Sequence, residues 1–189
     1  MDAKVFFEAF LQELDKQKDA CIRDYNDGRA FTKAIILLVK DVLKPKGSEG
    51  IGLSCEYYRI DVTSWKDRAA EIRHDAPKNF TPYFWDLEVA VEHENYDRHW
   101  MDEVIKLAHI NCPLRVVIGY LPVGTNHSNY IAYVSAALKM LRCKQVSDNE
   151  FLLLIGNSKV KSGEECFNYQ PYLFDGNAFE LQASWLQKE

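Results

Sequence analysis

Between Lys4 and Lys18 the apolar residues Phe6, Ala9, Phe10 and Leu14 recur at helical steps with charges between them, which predicts an α-helix with one buried face. After Asn26-Asp27-Gly28, a turn with a ready N-cap, apolar residues at 31, 34, 35, 38, 39 and 42 predict a second helix, Phe31–Leu43, that stops before Pro45. Residues 44–50 read as a loop. Then the period changes. Residues 54–64 and 85–94 predict strands, separated by a charged stretch, Lys66–Asn79, that has room for a short helix. Trp100–His109 returns to helical spacing at Met101, Val104, Ile105 and Ala108, and Leu114–Leu121 is an apolar, β-branched strand. A helix-length link of about 20 residues is a crossover, so the strands beginning at 85 and 114 are expected to be parallel neighbours.

Ser128–Cys143 predicts another helix, and Glu150–Asn157 a strand buried on both faces. After a turn at 159–163, Tyr172–Asp175 and Phe179–Leu181 predict edge strands or a closing hairpin. The expected architecture is a single α/β domain over residues 1–189, a mixed central sheet flanked by helices.

With 189 residues, 47% of them hydrophobic and 13% aromatic, the chain has enough apolar surface for one sizeable core. A net charge of −5 argues against a protein that holds nucleic acid chiefly through a basic surface, but leaves room for a locally basic groove. Five cysteines at scattered spacings, with no Cys-x-x-Cys, read as reduced thiols of a cytoplasmic protein. No signal-peptide order opens the chain and no apolar run is long enough to span a membrane, so the expectation is a soluble protein without membrane partners.

The chemistry concentrates in two of the predicted strands. Strand alternation puts Glu92 and Glu94 on one face, roughly 6.5 to 7 Å apart, with the carbonyl of His93 between them. Asp61 interrupts the other run. An antiparallel register with Asp61 opposite Glu92 sets Arg59 against Glu94, Thr63 against Ala90 and Trp65 against Glu88, which gathers three carboxylates on one face. Carboxylates from two strands, with the His93 carbonyl and waters, suit Mg²⁺ or Mn²⁺ better than zinc, and the chemistry to expect is metal-assisted hydrolysis.

Residues and element order together resemble the PD-(D/E)xK nuclease superfamily, whose restriction-endonuclease-like core is a helix, three antiparallel strands, a helix and a parallel strand. The likeness covers roughly residues 4–121. It implies that Asp61 is the metal-binding aspartate, Glu92 the second acidic ligand, and DNA the substrate. Glu94 stands where the pattern prefers a lysine that positions the attacking water; the resemblance leaves it to bind a second metal or orient the water. Lys106, on the following helix, is the candidate substitute cation.

Plainer readings accompany these. The carboxylates can be a solvated strand end with Glu94 paired to Arg59, and Lys106 a surface partner of Asp102 or Glu103. The His93 side chain is expected to point away from the carboxylates, Glu13 and Glu88 to be ordinary charges, and Cys112 to be an inert core thiol despite His109 nearby. His99 can cap its helix or touch substrate. Tyr57, Tyr58, Trp65, Tyr83, Phe84 and Trp85 can stack on bases, but strand aromatics are more often core. The alternative function is a non-catalytic member of the same fold that meets a protein partner through its acidic surface.

Overall fold

The computed structural model describes residues 1–44, 51–57, 59–68, 85–96, 99–141, 149–160 and 163–187. The expected loop at 45–50, most of the charged stretch at 66–79, and Tyr58, Tyr83, Phe84 and Cys143 lie outside the described residues. Helix α1 spans Ala3–Asp24, capped by Asp2, whose carboxylate accepts the Val5 N–H at 2.8 Å. It runs past the expected end at Lys18 because Cys21 extends the buried stripe of Phe7, Phe10 and Leu14. Helix α2, Gly28–Leu43, is capped by Asp27, which accepts from the N–H groups of Arg29 and Ala30.

Among the described residues seven strands form one sheet in sequence order: β1 Ile51–Tyr57, β2 Ile60–Asp67, β3 Trp85–His93, β4 Leu114–Pro122, β5 Glu150–Ser158, β6 Gln170–Phe174 and β7 Phe179–Leu181. Strands β1–β2–β3 pair antiparallel, β3–β4–β5 parallel, and β5–β6–β7 antiparallel. The parallel pairing of β3 and β4 across a helical crossover agrees with the expectation from loop length. The single strand expected at 54–64 is instead a hairpin, with Tyr57 opposite Ile60 and Arg59 in the left-handed region at φ 62°. An arginine carries no turn signature, so the apolar pattern ran through the reversal unmarked.

Helix α3, Trp100–Ala108, connects β3 to β4, and helix α4, His127–Met140, connects β4 to β5. Side chains alternate across the sheet and make two cores. Helices α1 and α2 cover Val62, Val89, Val91, Val116, Ile118 and Tyr120, whereas α3 and α4 cover Ile60, Ala90, Val117, Leu121 and Leu153. The seat of α3 depends on Gly119, where an added Cβ would lie 2.5 Å from Trp100 Cβ. Only glycine lets the buried indole sit on β4 and bring the rest of α3 down onto the sheet. Among the described residues no helix is long and apolar enough to cross a membrane.

Candidate active site

The start of β2 and the end of β3 meet in the antiparallel ladder, with Val62 opposite Val91 and Thr63 opposite Ala90. One step outward on the same register are Asp61 and Glu92. The half-buried Asp61 is held there by its neighbour strand, its Oδ2 accepting the His93 main-chain N–H at 2.8 Å. Further along, a bulge between Ser64 and Trp65 sets Trp65 opposite Leu87, so the expected pairing of Trp65 with Glu88 does not occur. Nor does the ladder reach Arg59, which lies in the hairpin turn.

Glu92 faces the α3 side. Its side chain is 3% exposed, and Lys106 Nζ lies 2.7 Å from Oε1, an ion pair. The same ammonium ion-pairs with Glu103, one turn back on α3, and donates to the Arg59 carbonyl at 3.0 Å. Burial pushes the Glu92 pKa up to about 8, and Asp61 and Glu103 push the same way against the opposing pull of Lys106. For Lys106, burial favours the neutral amine, but Glu103 and Glu92 outweigh it and hold the pKa above its ordinary value. The two partners thus pull apart. The direction we adopt is a charged Lys106 with Glu103 as its main counter-ion and a Glu92 carboxyl that resists ionisation, because Glu92 is the more deeply buried of the three.

The strand ends one residue after Glu92. Glu94 lies past the end of β3, where its N–H donates to the Ile118 carbonyl at 2.9 Å and its Oε1 accepts the Tyr96 N–H at 2.8 Å. Its carboxylate thus folds back on its own turn. The His93 side chain points to the opposite face, as strand alternation requires, where Nε2 meets Tyr120 Oη at 3.1 Å and Tyr120 Oη meets Tyr169 Oη at 2.6 Å. Burial lowers the His93 pKa to about 3, so the ring is neutral.

The remaining candidates stand apart. Glu13 ion-pairs with Lys16 at 2.6 Å, and Glu88 is half-buried at the bulge. His99 opens α3 with no side-chain cap bond. Cys112 is buried, its Sγ donating to the Leu114 carbonyl at 3.1 Å, and burial raises its thiol pKa to about 11, the mark of an inert thiol. Glu103 was not singled out from the sequence as a site residue, although its three-residue step to Lys106 marks one helix face.

Among the described residues no three His, Cys, Asp or Glu side chains are grouped closely enough to hold a metal by themselves. Two carboxylates completed by main-chain oxygens and water are nonetheless an ordinary set for Mg²⁺. The buried Glu92 Oε1 faces the Lys106 ammonium at 2.7 Å, so a metal would share this oxygen with an existing cation. No family model, curated protein or solved structure matches the chain.

Proposed function

We propose that this chain is a Mg²⁺- or Mn²⁺-dependent nuclease of the PD-(D/E)xK type that hydrolyses DNA phosphodiester bonds, with Lys106 in the role of the motif lysine. The observation that carries the reading is a buried Glu92 carboxylate at the end of β3, opposite Asp61 by the β2–β3 register, with Lys106 2.7 Å away. The path of helix, three antiparallel strands, helix and parallel strand supports it as well. Asp61 and Glu92 would hold the metal. Bound there, the ion supplies a Lewis acid that acidifies water and offsets charge on the phosphodiester.

The side chains do the rest. The His93 N–H orients Asp61, so this carboxylate needs little reorganisation to bind a cation. Burial makes an ionised Glu92 costly, so a bound cation would favour its charged form, as the neighbouring Lys106 ammonium already does in part. Lys106 is steadied by Glu92, Glu103 and the Arg59 carbonyl and presents an ammonium to the attacking water or to a developing oxyanion.

Cleavage of labelled single-stranded, duplex and branched DNA in Mn²⁺, followed on gels, tests the reading. We expect cleavage that disappears with Asp61→Ala and Glu92→Ala and falls on the order of a hundredfold with Lys106→Ala. Wild-type protein that leaves all three DNA forms and RNA intact would overturn it. Mn²⁺-dependent stabilisation lost with Asp61→Ala, but without cleavage, would favour a metal-binding fold that meets a protein partner, a reading to which the charge-compensated Glu92–Lys106–Glu103 group also lends itself.

A further inference from the structure

We propose that the groove between α2 and the edge strand β1 binds a single strand of nucleic acid, with its phosphates on Arg29, Lys33 and Lys40 and an unpaired base on Tyr96. The proposal deepens the nuclease reading and rests on it for the nature of the polyanion. The three cations recur at four- and seven-residue steps, which brings them to one side of α2. They line a groove of about 430 Å³ whose other wall carries Cys55 of β1 and whose end is formed by Asn95 and Tyr96. Among the described residues that line it none is acidic, although the whole chain carries a net charge of −5. None of the ion pairs formed among the described residues engages Arg29, Lys33 or Lys40. Three positive side chains kept together in an acidic protein, along one groove, fit a chain of regularly spaced anions.

The groove is fastened to the end of β3, on the face opposite the Glu92 side chain. Asn95, three residues beyond Glu92, donates through Nδ2 to the Gly28 carbonyl at 2.7 Å and to Thr32 Oγ1 at 3.0 Å, which fastens the end of β3 to the start of α2. The next residue, Tyr96, is 69% exposed and in ring contact with His99, with centroids 6.1 Å apart. A second cavity of about 360 Å³ shares Gly28, Asn95 and Tyr96 with the groove and continues it toward Tyr25 and Ser158. An exposed aromatic at the end of a basic trough is the pairing that single strands use, because their bases are unstacked and carry a π-face, whereas a duplex keeps its bases inside.

Fluorescence anisotropy of a labelled oligodeoxythymidine with the full chain, in EDTA so that nothing is cut, tests this across a salt titration. Binding should weaken as salt rises. Arg29→Ala/Lys33→Ala/Lys40→Ala should flatten the plot of log affinity against log salt by about 2, the counter-ions released by three phosphate contacts on a single strand. Tyr96→Ala should lower affinity by about 5- to 100-fold with the slope unchanged. Lys4→Ala/Lys16→Ala, on α1, should leave both quantities alone, and circular dichroism should show every variant folded. Absence of oligonucleotide binding, a triple variant with the wild-type slope, or a duplex bound as tightly as the single strand with Tyr96→Ala silent, would overturn the proposal. Binding that obeys these expectations in a protein that cuts nothing in Mn²⁺ overturns the nuclease reading and leaves the groove standing; cutting without groove-dependent binding does the reverse.

Discussion

Glu92 and His93 are consecutive residues, each buried, yet the two faces of β3 treat them in opposite ways. On the α3 side Glu92 meets Lys106, Glu103 and Asp61, a crowd of ionisable groups with more negative than positive members. On the α2 side His93 meets Phe31, Tyr120 and, through Tyr120, Tyr169, a neutral chain of hydrogen bonds inside an aromatic cluster. The first arrangement sets several carboxylates around one ammonium; the second removes charge altogether and serves packing. Burial alone marks neither as functional. What separates them is whether the neighbours are charged.

The aromatic side can be broken most severely. Phe31 is 2% exposed and its ring packs on Tyr25, His93, Tyr120 and Phe167. Phe31→Ala should destabilise the fold by about 3 to 5 kcal/mol in urea titrations, the usual size for an emptied core aromatic. A loss below about 1 kcal/mol would mean that His93 sits in a loosely packed region, and the contrast between the faces would fail.

Next in size is the response to pH, where the two residues should move in opposite directions. The Glu92 pKa is raised from 4.5 to about 8, so the folded protein holds the extra proton; its contribution is full below about 4.5 and is lost as pH rises toward 8. The His93 pKa is lowered from 6.5 to about 3, so its contribution is full above about 6.5 and is lost as pH falls toward 3. Glu92→Gln keeps the shape and cannot ionise. In EDTA, wild-type stability measured against this variant should decline steadily from pH 5 to pH 8; a flat difference would show that Glu92 is compensated after all.

The smallest effect concerns the tyrosine pair. Tyr169→Phe removes the 2.6 Å contact with Tyr120 while keeping both rings, and should cost about 1 kcal/mol. The cleavage proposed above should be untouched, since this chain lies on the far face from Glu92. Activity lost in step with an unchanged stability would tie the aromatic face to the chemistry.

Much of the frame was legible because it follows from periodicity. The run Leu114–Leu121, apolar but for Arg115, and the helical spacing of Trp100–His109 suffice for two parallel strands and a crossover, and a register that put Asp61 opposite Glu92 survives in the ladder on either side of Thr63. Less visible was anything that depends on a local break. The turn at Arg59 uses a left-handed residue without glycine, and the bulge at Trp65 shifts the register by one, which no alternation pattern announces. Glu94 shows the same limit. Alternation aligned it with Glu92, but the strand ends at His93 and the side chain bonds its own turn instead.

The sequence by itself determined the mixed α/β frame and the convergence of two acidic strand ends, because hydrophobic period and loop length act locally and leave few topologies open. Which cation answers those carboxylates was decided only in three dimensions. Lys106 lies fourteen residues from Glu92, and its approach depends on Trp100 settling over Gly119, a fit between a helix and a strand that neither segment encodes alone. The basic groove has the same origin: Arg29, Lys33 and Lys40 become one surface through the helix, and the contact of Asn95 with Gly28 and Thr32 fastens that helix to the end of β3.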